Sequence, residues 1–161
     1  MASLVHTGYT RAIENLLKNQ TEYGMAAARP AGDMEKGTYA SLFPRDIGVS
    51  TLGMLASGRE DLLELAQKSL ISLIDSQSEK GQFPQNYVPE QKETHWWMPG
   101  TIDGTLWWSI AFLELIKHTG DRVLYHKYRP HLEKAFVWLT YQDTNNDWLL
   151  EQGEAAGWDD E

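Results

Sequence analysis

Carboxylates beside indole rings are the residues of this 161-residue sequence best suited to chemistry. Asp159, Asp160, Glu161 and Glu154 crowd around Gly157 and Trp158. Like charges packed next to an apolar ring raise the pKa of one carboxyl group, and a carboxyl that keeps its proton near neutrality can act as a general acid. A solvated acidic tail has the same composition, and residue types alone leave both readings open. Arg45-Asp46, following Leu42-Phe43-Pro44, sets a guanidinium fork beside a carboxylate. Such a pair can hold two adjacent hydroxyl groups of a sugar; it also fits an N-cap Asp with a surface Arg. Asp103, just ahead of an aromatic run, has the same two readings.

The seven Trp residues are dense for this length, with pairs at Trp96-Trp97 and Trp107-Trp108. Trp107, Trp108 and Trp138 fall within helical patterns, where core packing explains them as well as ligand stacking does. Trp96, Trp97 and Trp158 fall in loop-like segments, where stacking on a sugar is the better reading. Metal chemistry has little support. The five His residues show no ligand spacing, and Cys is absent, so neither a zinc site nor a disulfide is expected. Residues 143–147 begin like an EF-hand, but the Gly and terminal Glu look out of place, and a turn is the simpler reading. No phosphate-binding Gly-rich loop follows a strand, and hydrolysis by water, the reaction such carboxylates serve, needs no cofactor.

The elements that position these residues are helical. Apolar spacing of three and four predicts helices over about residues 2–23, 46–57, 60–77, 104–118 and 122–141. The first carries Val5, Tyr9, Ile13, Leu16 and Leu17 on one stripe. The fourth is apolar on most sides and should be buried; the fifth contains Pro130, which should kink or split it. Residues 79–101, rich in Pro and Gly, form a long loop of the kind that tends to be functional. The only strand candidate is 147–151. The fold class is therefore all-α, one domain over residues 1–161. Asp46, Asp103 and Asp159 recur at a spacing of about 57 residues, each in a polar loop before a buried helix, which implies repeated helical hairpins whose acidic loops converge on one pocket. The chain stops where this repeat calls for another helix. That predicts an incomplete array whose uncovered flank invites self-association.

Charge and composition narrow the partners. With 42% hydrophobic and 23% charged residues the chain is an ordinary globular protein. A net charge of −9 with no basic stripe opposes nucleic acid. No stretch approaches a membrane span or a signal peptide, so the expected location is cytoplasmic, off the membrane.

Several segments, taken in order, resemble the N-terminal part of the six-hairpin glycosidases, the (α/α)6-toroid enzymes, and most closely their glycogen-debranching and glucoamylase-like group. They are Ala26-Ala27-Ala28-Arg29-Pro30, Phe43-Pro44-Arg45-Asp46-Ile47, Gly81-Gln82-Phe83-Pro84-Gln85-Asn86, Thr101-Ile102-Asp103-Gly104-Thr105-Leu106-Trp107-Trp108, Thr119-Gly120-Asp121 and Gly157-Trp158-Asp159-Asp160. The resemblance implies an incomplete toroid and an inverting glycoside hydrolase acting on α-glucosidic bonds of oligo- or polysaccharides, with Arg45, Asp46 and Asp103 binding sugar. It makes Asp160 or Asp159 the general acid. The general base of such enzymes lies in later hairpins, so this chain is expected to be inactive alone. A reading from another class is a non-catalytic carbohydrate-binding or scaffold module on the same hairpins. An epimerase or lyase on that fold fits less well with an acidic Trp-Asp loop.

Overall fold

The computed structural model describes residues 3–28, 40–96 and 102–151, and these form an all-α fold of five helices with one small hairpin. Helix α1 spans Leu4–Lys18. Its N-cap Ser3 accepts the His6 N–H, as capping residues do. The helix ends five residues before the expected Tyr23 because turn chemistry takes over: the Asn19 N–H bonds the Asn15 and Leu16 carbonyls, Thr21 closes on the Gly24 carbonyl, and the Met25 N–H reaches Ser69 Oγ at 2.9 Å. Only the second half of the predicted stripe is covered. Ile13 is buried, whereas Val5 is 81% exposed.

Helix α2 (Pro44–Ser57) starts two residues earlier than expected, with Phe43 as N-cap and Pro44 at the first helical position. There the missing N–H is harmless and the fixed φ is already helical. Helix α3 (Glu60–Ser72) runs on as a 3-10 turn, Leu73–Ser76. Helix α4 is Ile102–Thr119 and α5 is Arg122–Thr140, N-capped by Asp121, which accepts the Leu124 N–H. Pro130 lies inside α5 without splitting it.

The expectation of no sheet is corrected by β1 (Asn86–Val88) and β2 (Glu93–His95), which pair antiparallel with Tyr87 opposite Thr94. β1 also bridges Leu42 on its other edge, through bonds of 2.8 and 2.9 Å. The strand expected over 147–151 is instead a series of bends.

The helices form two neighbouring hairpins, α2 with α3 and α4 with α5. Their first helices, α2 and α4, lie side by side in the same direction: Gly48 faces Trp107 near one end, and Leu55 and Glu114 line one groove near the other. Gly48 makes the close approach possible, since a Cβ there would lie 2.6 Å from the Trp107 Cβ and 2.8 Å from its carbonyl carbon. Between the hairpins runs an aromatic stack, Phe83 on Trp108 at 4.4 Å and Trp108 on Phe112 at 5.2 Å, with Tyr128 edge-on. The Trp108 Nε1–H finds the Leu70 carbonyl at 3.0 Å, as a buried indole requires. Trp108 and Trp138 are thus core residues. The expectation that α4 is buried holds for Trp108, Ala111, Phe112 and Leu115 but not for Ile110 and Leu113, which are exposed.

Candidate functional site

The first turns of α2 and α4 meet at one end of the fold, and the loop between α3 and β1 closes over them. The Phe83 N–H donates to Thr105 Oγ1 at 3.0 Å, and Leu42, two residues before α2, is bonded to Tyr87 in β1. This brings together side chains far apart in sequence. Arg45 Nη1 donates to Asp103 Oδ2 at 3.0 Å, and neither side chain is more than a quarter exposed. Asp103 Oδ1 accepts the Gly104 N–H at 2.6 Å. Asp46 completes the group. Burial raises its carboxyl pKa above the ordinary value; adjacent Arg45 pulls the other way and the Asp103 carboxylate adds to the rise.

The N-cap explanations are corrected here. Phe43 caps α2, and Asp103 already lies in the first turn of α4. Carboxylates in first turns still interact favourably with the helix dipoles. Two carboxylates and one guanidinium leave one net negative charge, which suits a neutral or cationic polar ligand. The structure thus pairs Arg45 with Asp103, with Asp46 next to Arg45 in the first turn of α2.

Trp96 follows β2 and is 45% exposed, its Nε1–H donating to Thr94 Oγ1 at 3.0 Å. It is not a core residue. β2 is tied to the same loop, with the Gln85 N–H on the His95 carbonyl. Trp97, Trp158, Asp159 and Asp160 lie outside the described residues.

Sequence reasoning overlooked Asn86. Its Nδ2 donates to Ser41 Oγ at 2.9 Å, while its buried Oδ1 has no hydrogen-bond partner. Nearly all buried polar atoms are paired, so this one stands out. A polar residue in a three-residue strand gives no periodic signal.

Residues 143–151 hold a different cluster. Carboxylate oxygens of Asp143, Asp147 and Glu151 lie within 4.8 Å of one another. Counting from Asp143 as position 1 corrects the earlier spacing: Glu154 falls at position 12, and only the Gly of position 6 is replaced, by Trp148 with φ 69°. The carboxylates already work as turn builders. Asp143 accepts the Asp147 and Trp148 N–H groups, Asp147 accepts that of Leu149, and Glu151 takes the Thr144 hydroxyl. A groove of about 760 Å³ beside Pro130, Lys134 and Tyr141 shares no residue with the Arg45 group. Among the described residues no helix is long and apolar enough to cross a membrane.

Compared with known proteins, the chain matches no family model, no curated protein and no solved structure.

Proposed function

We propose that the Arg45, Asp46 and Asp103 group is the sugar-holding part of a glycoside hydrolase site, of the inverting kind that cleaves α-glucosidic bonds with water and no cofactor. The observation that carries this reading is the 3.0 Å Arg45–Asp103 pair, bridging two helix N-termini with the Asp46 carboxylate beside it. A guanidinium donates in a fixed fork and a carboxylate accepts. Together they match the donor and acceptor faces of neighbouring sugar hydroxyls. Trp96, exposed at the end of the hairpin, offers an apolar face for a pyranose ring. The likeness of the Trp158-Asp159-Asp160 segment to the acid loop of the six-hairpin glycosidases assigns proton donation to Asp160, or to Asp159 in a shifted register. Inverting hydrolysis pairs such an acid with a base about 6.5–9.5 Å away.

Calorimetric titration with maltooligosaccharides tests the reading. Saturable binding is expected, with loss in Arg45→Ala. Binding without turnover favours a carbohydrate-binding module on the same hairpins. No binding of any maltooligosaccharide by folded protein rules out both. Within a hydrolytically active polypeptide, Asp160→Asn is expected to slow cleavage by about 10²- to 10⁴-fold and to recover on an aryl glycoside whose leaving group needs no proton. The same rescue in Asp159→Asn alone would move the acid to Asp159.

A further inference from the structure

The loop between α3 and β1 is fastened at two places. Over the first turns of α2 and α4 the Phe83 N–H meets Thr105 Oγ1, and the Phe83 ring stacks on Trp108. At its start the loop is tied to α5. Gln77 Nε2 donates to the carbonyls of Gly81 and His131, each at 2.9 Å, and Gly81 sits against the Lys134 carbonyl. Both amide hydrogens of Gln77 are thereby engaged. Its Oε1, 2.7 Å from His131 Nδ1, can only accept, so Nδ1 carries the hydrogen and the free lone pair of the neutral ring is on Nε2. We infer that His131 is a pH-sensitive latch: its neutral ring holds residues 77–82 on α5, and protonation at Nε2 releases them, while Phe83 stays anchored on α4. This goes beyond the sugar-holding reading and does not depend on what the site binds.

Protonation leaves the Nδ1–H bond to Gln77 possible, so the effect comes from where the new charge is placed. The ring is part-buried between Gln77 and Tyr128, whose ring centroid is 6.3 Å away. Burial disfavours a charge there, and so does Lys134, one turn along α5; Asp75, in the 3-10 turn after α3, opposes them. The other charged groups nearby are otherwise engaged or balanced. Lys127 lies over the Tyr128 ring at 4.9 Å, Glu133 is paired with Arg129, and Glu79 and Lys80 on the loop carry opposite charges. Release takes the ring into water and away from Lys134, so the released form takes up the proton more readily. The latched form, with its pKa held below the ordinary 6.5, binds fewer protons. Its hold is therefore complete above that value and weakens as pH falls below it.

Hydrogen exchange at single amides tests the latch in the whole chain. The Gln77 side-chain amide reports it directly, and the Gly81 and Gln82 N–H groups, bonded to the Ser78 carbonyl and to Ser78 Oγ, report the segment that it holds. With intrinsic rates divided out, protection at these three is expected to fall between about pH 7.5 and about pH 5, while Phe83 and the α4 amides keep theirs. In His131→Gln the protection should no longer depend on pH, whether or not glutamine keeps the latch closed. Lys134→Met should weaken the acid effect and Asp75→Asn should strengthen it, opposite changes that a merely structural role does not produce; Lys134 meets Gly81 through its backbone, which the substitution leaves in place. Thermal melting confirms the fold of each variant. Protection of residues 77–82 that is unchanged or higher in acid overturns the inference, as does a pH dependence that persists in His131→Gln. So does an equal loss at Phe83 and in α4, since the whole fold is then opening rather than the loop.

Discussion

Replacing Gly48 by Ala should loosen the candidate site without altering any residue in it. The added Cβ would lie 2.6 Å from the Trp107 Cβ and 2.8 Å from the Trp107 carbonyl carbon and oxygen. Non-bonded carbons rest at roughly 3.5–4.0 Å. Two of the three atoms are backbone, so no rotamer change relieves the clash, and α2 has to part from α4 by about 1 Å. Overpacking of this kind costs about 1–3 kcal/mol, of which the better helix propensity of Ala offsets about 1 kcal/mol. The net destabilisation is roughly 0–2 kcal/mol, a fall of up to about 8 °C in melting temperature for a chain of this length. Near the helix N-termini the same separation stretches the 3.0 Å Arg45–Asp103 pair beyond hydrogen-bonding range. Gly53 provides the control. It lies in the same helix, a Cβ there meets nothing within 4 Å, and Gly53→Ala should stabilise by about 0.5–1 kcal/mol. Scanning calorimetry of the two variants should therefore give shifts of opposite sign. A Gly48→Ala protein that melts above the parent temperature refutes the argument that a bare backbone at this position sets the helix separation, and with it the account of how the site is held together.

Three other expectations concern single side chains. Trp96→Ala should weaken maltooligosaccharide binding about 3- to 10-fold and move the melting temperature by less than about 2 °C, because the ring is 45% exposed; the reverse pattern in titration and melting experiments would make Trp96 structural. Asp46→Asn should abolish binding and slightly raise stability at neutral pH. Its carboxyl pKa is raised by burial, so the stability that it contributes is present at low pH and lost as pH rises through the folded value; comparing melting at pH 4 and pH 7 checks the sign. His131 shows the opposite linkage. Burial and nearby Lys134 hold its pKa below the ordinary 6.5, with Asp75 opposing, so stability should be complete above that value and decline as pH falls below it, and a melting curve of His131→Asn should lack most of that decline.

How much of this was legible in the sequence depended on the kind of signal. Leu62, Ala66 and Leu70 in α3, and Leu124, Leu132 and Ala135 in α5, recur at helical spacing because they face a core, and that spacing located both helices to within a few residues. The repeat of Asp46 and Asp103 anticipated that the two would meet, since successive hairpins place equivalent loops at one end. The Arg45–Asp103 ion-pair geometry was not legible, because it depends on Gly48 admitting Trp107, a contact between residues that share no pattern. The hairpin was missed for a related reason. Three-residue strands are too short for alternation to register, and Pro89 just after β1 reads as a breaker. Phe83 lies in the same Pro-rich stretch, and nothing about its spacing revealed that it anchors that loop on Trp108. The end of α1 was misjudged because the bond from Met25 to Ser69 Oγ, which fixes the turn, is made to a helix 44 residues away.

The loop that frames the site is fastened to α5. Gly81, at φ 105°, sits directly against the Lys134 carbonyl, where any Cβ would clash. Gln77 donates both amide hydrogens to backbone carbonyls, of Gly81 and of His131, each at 2.9 Å, and this leaves its oxygen to accept the His131 Nδ1–H at 2.7 Å. During synthesis His131 emerges 54 residues after Gln77, a delay of several seconds at about 5–20 residues per second. Helices α2, α3 and α4 can associate in that interval, and Arg45 can find Asp103. Residues 77–82, however, lack their bonds to α5 until that helix docks. The frame of the site is thus completed by the last of the described helices, and a pause in translation before Arg122 should leave the chain open to a protease at Glu79-Lys80-Gly81 while the helices beneath it are already packed.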